Sequence, residues 1–192
     1  MYKDPPVWDR INSFALVTYI PEPLAGFLDR LRQELVPNCF LKAHVTALPP
    51  RPLAASPESA WEEVRALAKK FAPFEIGLGD IDLLPVSDVI YVQIAAGSEM
   101  LKQMHAAMST GALAYREEFP YHPHVTLAQE LKPDEVDELL HVARNRWAEC
   151  PFPKAFRADR VVFVQRTRQN RWMDLGECEL ERVGDLKDLL VG

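Results

Sequence analysis

Two copies of the tripeptide His-Val-Thr stand 80 residues apart in this chain, at His44-Val45-Thr46 and at His124-Val125-Thr126. Each copy lies in a short run typical of a β-strand, where successive side chains point to opposite faces. Each His therefore shares a face with its Thr, while the Val points into the core. Imidazoles exchange protons near neutral pH, and hydroxyls donate hydrogen bonds to phosphate oxygens. Two such sets across one cleft could perform acid–base chemistry on a phosphodiester.

Composition alone does not explain the two copies. The chain has five His and five Thr among 192 residues, so random placement gives roughly 0.13 His-x-Thr matches. Both copies also share the central Val and an apolar continuation. We therefore infer that the His-Val-Thr motif is a functional unit that occurs twice in the chain.

The elements that must position the motifs also repeat along the chain. Strand, helix, motif strand, helix and strand are predicted at 13–20, 24–35, 41–48, 56–71 and 74–84, and again at 88–95, 98–113, 121–128, 132–147 and 156–166, with a final strand at 171–180. Prolines 49, 50 and 52 are expected to end the first motif strand. A turn at 85–87 separates the two cycles.

This order predicts an α+β protein with a bilobal duplicated fold and pseudo-twofold symmetry. Mostly antiparallel sheets are expected to line a central cleft, with the helices outside. We expect residues 1–192 to form a single domain made of two lobes, corresponding approximately to the sequence repeats 13–84 and 88–180. The short apolar segment 186–191 is expected to pack against this domain.

Composition and charge restrict the classes of partner. The net charge is −6 and the isoelectric point is near 5.4, whereas proteins that wrap long duplex nucleic acid are usually basic. A small or short ligand is therefore expected, and the oligomeric state is not indicated. The chain has no apolar run of 18 residues, so no membrane span is predicted. Three scattered cysteines and no signal-peptide pattern favour a cytoplasmic protein.

The paired motifs resemble those of the 2H phosphoesterase superfamily, specifically its 2′-5′ RNA ligase and cyclic phosphodiesterase-like branch. The resemblance rests on His44-Val45-Thr46 and on Pro123-His124-Val125-Thr126-Leu127, and it covers about residues 13–180. It implies that His44 and His124 are the catalytic acid–base pair and that Thr46 and Thr126 bind the phosphate.

The resemblance also implies a reaction and a class of substrate. We expect cleavage of 2′,3′-cyclic or 2′-5′ phosphodiesters, at an RNA terminus or in a small nucleotide, and in some relatives reversible 2′-5′ joining of RNA. Neither a metal nor another cofactor is expected, because two imidazoles and two hydroxyls supply the proton transfers and the phosphate contacts.

Three neighbours of the motifs are further candidates for substrate binding. Lys42 and His122 each lie two residues before a motif His, so regular strands would place them at equivalent positions on the cleft face. Lys42 could neutralise a phosphate, and His122 could contact a base, a sugar or a second phosphate. Tyr121 could stack on a base, or it could pack at the rim of the core.

A metal site is the alternative interpretation of the second motif. His122-Pro123-His124 places two potential ligands on one strand, and Glu117 or Glu118 could add to them. The corresponding segment Lys42-Ala43-His44 lacks the second His.

Other polar side chains near the motifs have two interpretations each. Arg51 could contact phosphate or lie in solvent, and the arginines 166, 168 and 171 could guide an anion or form a solvated hairpin end. His105 and His141 are expected at the surface of helices.

Two rival functions remain open at this point. The same fold could bind a nucleotide or an RNA end without turnover, which the acidic net charge and Gln129-Glu130 after the second motif both allow. It could also hydrolyse a cyclic phosphate that is not a nucleotide.

Overall fold

The structure is a computed structural model, and it describes residues 9–84 and 87–181. Within these ranges the chain forms eight β-strands and four α-helices. The strands are β1 (Arg10–Tyr19), β2 (His44–Arg51), β3 (Phe74–Leu84), β4 (Val89–Ala96), β5 (His124–Ala128), β6 (Ala155–Ala158), β7 (Arg160–Thr167) and β8 (Trp172–Glu179). The helices are α1 (Leu24–Leu35), α2 (Pro57–Ala68), α3 (Ser98–Met108) and α4 (Val136–Ala148). The predicted apolar segment 186–191 and most of the turn at 85–87 lie outside the described residues.

The eight strands form two four-stranded sheets in which neighbouring strands are antiparallel. Sheet A has the order β2-β1-β7-β8, and sheet B has the order β5-β4-β3-β6. The two orders correspond, because each begins with a motif strand at the edge and continues with the strand that precedes it in the chain. This arrangement confirms the predicted α+β duplicated fold.

Each sheet takes strands from both halves of the sequence. Strands β7 and β8 complete the sheet that β1 and β2 begin, whereas β3 pairs with β4. The single strand predicted at 156–166 is wrong: the chain leaves sheet B at Ala158 and enters sheet A at Arg160. Both segments bury apolar side chains, so alternation along the sequence does not reveal that they belong to different sheets.

The helices also pack across the two halves. Helix α1 lies against β5 and α4, and its leucines join the core of sheet B with Ile90 and Val125. Helix α3 lies against β2, and Met104 and Met108 join the core of sheet A with Leu48 and Phe163. Each sheet is therefore covered in part by the helix that leads to the motif strand of the other sheet. Helix α4 also packs on sheet B, and helix α2 on sheet A.

The first motif strand continues beyond its predicted end. Strand β2 runs through Pro49 and Pro50 to Arg51, although these prolines were expected to stop it. A proline lacks the N–H of a ladder hydrogen bond, but an edge strand has one side without a partner and tolerates this loss. Both motif strands begin at their His, three residues later than predicted. Lys42 and His122 therefore precede the strands.

A local sequence signal accounts for the start of helix α2. The Ser56 hydroxyl accepts a hydrogen bond from the Ser59 amide at 3.2 Å and caps α2, as its sequence predicts. Helix α3 ends at Met108, short of the predicted residue 113, and a separate 3-10 turn follows at Gly111–Leu113.

No helix in the described part of the chain is long and apolar enough to cross a membrane.

Candidate active site

Burial around the two motifs matches position by position. Over residues 41–48 and 121–128 the side chains are, in the same order, half-buried, exposed, buried, half-buried, buried, half-buried, buried and buried. The motif His and Thr occupy the two half-buried strand positions, and Val45 and Val125 are fully buried. The predicted alternation of faces is therefore present in both copies.

The fold brings the two copies together. Strands β2 and β5 are edge strands of different sheets, and they contact each other. His44 and His124 are close enough for the charge on His124 to lower the pKa of His44. Two imidazoles and two hydroxyls are thus placed on the half-buried faces of adjoining strands.

Both motif His rings are held in the same way by backbone. Nδ1 of His44 lies 2.7 Å from the carbonyl oxygen of Lys42, and Nδ1 of His124 lies 2.7 Å from that of His122. A carbonyl oxygen only accepts, so each Nδ1 carries the hydrogen. In the neutral ring the lone pair is then on Nε2. Each imidazole is fixed as a tautomer whose Nε2 is the proton-exchanging atom.

Burial lowers the pKa of both motif His side chains. For His44 desolvation brings the pKa to about 4; the hydrogen bond to Lys42 opposes this shift, and the charges of Arg32 and His124 add to it. For His124 desolvation again dominates, the hydrogen bond to His122 opposes it, and the charge of His122 adds to it. Both rings are therefore predominantly neutral at neutral pH in the free protein.

A cation, a tyrosine and a carboxylate lie beside His44. The Lys42 ammonium sits 4.8 Å from the ring centre of Tyr19 and 3.5 Å from the carboxylate of Asp174. The Tyr19 hydroxyl donates a 2.5 Å hydrogen bond to Asp174, and its ring meets the His44 ring edge-on at 6.5 Å. Lys42 therefore reaches the site region, with Asp174 as its partner.

A similar group lies beside His124. The ring of Tyr91 is 5.5 Å from that of His122 and 5.3 Å from that of His124, edge-on in both cases. Hydrogen bonds from the Leu83 amide and from Gln93 hold the pKa of the Asp82 carboxyl below its usual value. The Lys42 ammonium of the first group is replaced on this side by the His122 imidazole.

Tyr121 does not point freely toward a ligand. Its hydroxyl donates a 2.6 Å hydrogen bond to the backbone carbonyl of Thr46 in the first motif. Its ring stacks face to face on His105, with the ring centres 4.1 Å apart and the planes at 3°. The structure therefore places Tyr121 between the two motifs.

Two residues expected at the surface are instead part of the interior. The Arg51 side chain is 1 % exposed and pairs with Glu117. It also donates hydrogen bonds to the carbonyls of Pro49 and Leu113. Neither phosphate contact nor solvation of Arg51 is correct. His105 is also partly buried, and its Nε2 lies 2.8 Å from Glu117. Both corrections follow from packing of the 114–123 segment against α3 and β2, which no local pattern indicates.

Of the two acidic side chains in the alternative metal site, Glu117 and Glu118, the first is already engaged by protein groups. Glu117 is engaged by Arg51 and His105. Among the residues that the structure describes, no group of three or more His, Cys, Asp and Glu side chains could hold a metal ion.

Arg32 is a residue near the site that sequence reasoning missed. It is 3 % exposed, and its Nη1 donates to the carbonyls of Leu41 at 3.0 Å and Lys42 at 3.1 Å. The Lys42 carbonyl thus accepts from both Arg32 and His44. A signal was available, because Arg32 follows Leu28 by four residues and so lies on the apolar face of α1. Tyr19 and Tyr91 were missed because their positions depend on strand register.

Curated proteins with similar sequences are named as phosphoesterases. A Bacillus licheniformis protein named as a phosphoesterase is 28 % identical over 137 residues, which cover 70 % of this chain and 80 % of that protein. A Halalkalibacterium halodurans protein with the same kind of name is 26 % identical over 134 residues, covering 67 % of this chain and 76 % of that protein.

Solved structures share the fold at low sequence identity. Escherichia coli LigT in complex with 3′-AMP superposes with a TM-score of 0.59 at 15 % identity, covering 89 % of this chain and 99 % of LigT. A crystal structure described as a phosphoesterase gives a TM-score of 0.61 at 15 % identity, with 88 % and 98 % covered. The model of the 2′-5′ RNA ligase superfamily matches residues 20–170. The chain is a member of the 2′-5′ RNA ligase superfamily, and its enzyme type is that of the 2H phosphoesterases.

Proposed function

We propose that this protein is a metal-independent phosphodiesterase for 2′,3′-cyclic or 2′-5′ phosphodiesters. Its substrate is a small nucleotide or an RNA terminus, and the reverse reaction would join 2′-5′ ends. His44 and His124 act as general acid and base, and Thr46 and Thr126 bind the phosphate. The protein acts in the cytoplasm, an assignment supported by its three free cysteines.

The observation that carries this proposal is the matched pair of Nδ1 hydrogen bonds. Each backbone carbonyl fixes one imidazole with Nε2 as its exchanging atom, on adjoining strands of two different sheets. A phosphodiester cleavage needs one group that takes a proton and another that donates one. Two rings held alike on opposite sides of one phosphate supply both.

The proposed reaction is hydrolysis of one P–O bond of the cyclic phosphodiester. With a 2′,3′-cyclic phosphate between the motifs, neutral Nε2 of one His removes a proton from water as its oxygen bonds to phosphorus. The bond from phosphorus to one ribose oxygen breaks, and that oxygen takes the Nε2 proton of the other, protonated His. The Thr46 and Thr126 hydroxyls donate to the non-bridging oxygens, where negative charge increases. The product is a nucleoside monophosphate.

The electrostatics favour a division of roles. His44 has a pKa of about 4, so it is the neutral ring over a wide pH range and suits the base. His124 lies beside His122 and not beside Arg32, and we assign it the acid. A bound phosphate would raise the pKa of both rings through its negative charge.

Ligands of structurally similar proteins support the substrate class. LigT structures of the same fold were solved with 3′-AMP, ATP and NADP⁺. The shared feature of these ligands is a nucleotide phosphate. The Lys42 ammonium and the His122 imidazole would bind the polar groups that flank such a phosphate. Tyr121 would act on the motif backbone.

The direct test is turnover of 2′,3′-cyclic nucleotides and short 2′-5′ linked oligonucleotides with EDTA present. We expect hydrolysis by the wild-type protein and a loss of about 10²–10⁴-fold in kcat for His44→Ala and for His124→Ala. His141→Ala is the matched control, because His141 is an exposed ring on α4 that bonds to Asn145.

Three outcomes would reject the proposal in different ways. Nucleotide binding with no turnover would identify a binding module. Complete loss of activity in EDTA would reject the metal-independent mechanism. Turnover of a cyclic phosphate that is not a nucleotide, with all nucleotides left intact, would reject the substrate class.

A further inference from the structure

We propose that Tyr121 is a positioning residue that sets the separation between the two motifs. It does so through the Thr46 backbone, with His105, Glu117 and Arg51 holding it in place. This inference rests on the proposed function, because the separation matters only if both motifs act on one phosphate.

The contact that carries this inference joins the two motifs directly. Tyr121 lies three residues before His124, and its hydroxyl donates to the carbonyl of Thr46, two residues after His44. The bond is 2.6 Å long, and the Tyr121 side chain is half-buried. One hydrogen bond therefore links the segment leading into β5 to the last residue of the first motif.

The ring of Tyr121 is fixed by its own partners. It stacks at 4.1 Å on His105, a residue of α3, and Nε2 of His105 lies 2.8 Å from Glu117. Glu117 also pairs with Arg51 at the end of β2. The contacts start on β2 at Arg51 and return to β2 at Thr46, so we call these four side chains the Tyr121 brace.

The Tyr121 brace acts between β2 and β5, whose relative position determines the distance between the two motif His rings. Strands β2 and β5 belong to different sheets. Among the strands at 9–84 and 87–181, β2 pairs with β1 alone and β5 with β4 alone, so the two motif strands share no ladder there. Their relative position depends on packing and on side-chain contacts. Proton transfer to and from a single phosphate needs both rings placed closely, and a displacement of about 1 Å can cost on the order of 10²-fold in rate.

The segment before the first motif is held by a different contact at the equivalent position. Leu41 occupies the position that corresponds to Tyr121, and its carbonyl accepts from Arg32 on α1. Helix α1 packs on sheet B and against β5. The segment that leads into β2 is thus fixed by Arg32 to α1, which packs on sheet B. The segment that leads into β5 is fixed by Tyr121 to β2, which belongs to sheet A.

The test removes the hydroxyl and keeps the ring. For Tyr121→Phe we expect kcat for a 2′,3′-cyclic nucleotide to fall about 10-fold or more, with KM within threefold and an unchanged circular dichroism spectrum. Tyr115→Phe is the matched control, since it makes the same chemical change in the same segment at a residue that is 48 % exposed. The Tyr115 ring lies 5.8 Å from the Arg51 guanidinium, and Phe keeps this contact. A residue that contacts the base would instead show its effect in KM.

A double mutant separates the brace from a general loss of stability. His105→Ala removes the stacking partner, and it should lower kcat in the same way as Tyr121→Phe. If both act through one brace, the double mutant loses little more than the worse single mutant. His105→Ala also serves alone if Tyr121→Phe does not fold. A Tyr121→Phe protein with kcat within twofold of the wild type would overturn the inference, as would fully additive losses.

A binding readout keeps this test apart from that of the proposed function. NMR signals of the His44 and His124 rings are followed during titration with inorganic phosphate. In the wild type one phosphate should shift both rings at one saturating concentration, and in Tyr121→Phe the two rings should respond at different concentrations. This result would support the brace even if no cyclic nucleotide were hydrolysed, whereas identical titrations in both proteins would reject it.

Discussion

Nδ1 of His44 lies 2.7 Å from the carbonyl oxygen of Lys42, and the same carbonyl accepts a hydrogen bond from Arg32. The backbone thus decides which nitrogen of His44 exchanges protons, while a buried guanidinium disfavours the charged ring. The second motif repeats the first contact, between His124 and His122, but its ring is beside His122 and not beside a buried Arg. The two catalytic candidates are alike in orientation and different in electrostatic surroundings.

The pH profile should reflect these lowered pKa values. The active form has His44 neutral and His124 protonated, so kcat/KM needs a pH above about 4 and below the pKa of His124. The latter is below 6.5, the ordinary value. We expect a bell-shaped profile of kcat/KM with its maximum between about pH 4 and 6.5. A maximum above pH 7 would contradict the assignment of these protonation states.

Stability should fall in the same range of pH because of His44. The unfolded chain binds a proton at His44 near pH 6.5, but the folded protein does so only near pH 4. As the pH drops from 6.5 to 4, the unfolded state gains protons that the folded state does not, and the free energy of unfolding decreases.

The variant His44→Asn tests this linkage. The Asn amide can donate to the Lys42 carbonyl but does not titrate, so urea denaturation should show a smaller loss of stability between pH 7 and pH 4.5 than in the wild type. His141→Asn, at an exposed ring, should leave the pH dependence unchanged. Equal losses in the wild type and in His44→Asn would show that other groups govern acid stability.

The Thr hydroxyls should contribute to kcat. Thr46→Val and Thr126→Val keep the branched shape and the strand, but each removes one donor to the charged phosphate oxygens. We expect a loss of about 10²-fold in kcat for each variant, measured with a 2′,3′-cyclic nucleotide. Thr110→Val is the control, because its exposed hydroxyl donates to the Ala107 carbonyl outside the site. Activity within twofold of the wild type in both motif variants would remove the Thr pair from the mechanism.

Asp174 should limit the affinity for anionic substrates. It is an exposed partner of Lys42 at 3.5 Å and competes with phosphate for the ammonium. Asp174→Asn should lower KM a few-fold at low ionic strength, and Lys42→Met should raise it, with kcat nearly constant in both cases. Salt should reduce both effects, because exposed charges are screened.

A second surface pair provides the control for these charge changes. Lys132 pairs with Glu135 at 2.9 Å on the surface, so Lys132→Met changes the net charge without altering the site. If Lys132→Met changes KM as much as Lys42→Met does, the effect arises from overall charge and Lys42 has no specific role.

Sequence patterns predicted most of the elements but not their distribution between the sheets. The 3.6-residue spacing gave α1 with its bounds, and alternation gave both motif strands to within three residues. The change of sheet at Asp159 could not be predicted, because apolar side chains on both sides of it supply two strands with no proline or glycine between them. The sheet that a strand joins is decided by tertiary packing. Hydrophobic periodicity indicates only which side of a strand is buried.

The sequence predicted the positions of the motif residues, but it did not predict the residues that contact them. Shared spacing placed His44, Thr46, His124 and Thr126 on equivalent half-buried positions. The partners of these residues depend on contacts between distant segments. Tyr121 packs at the rim of the core, which was one of its two expected positions, but its hydroxyl also donates to a carbonyl 75 residues away. Such pairings follow from register and helix packing, which single-sequence patterns do not specify.

The packing of α1 on sheet B and of α3 on sheet A has a consequence for how the protein unfolds. Removing either half of the chain would expose apolar faces of both sheets, because each core contains side chains from both halves. We therefore expect the two sheets to unfold as one cooperative unit, and neither half of the chain to be stable as a separate fragment. Denaturation should appear as a single transition, in which acid–base geometry and core packing are lost together.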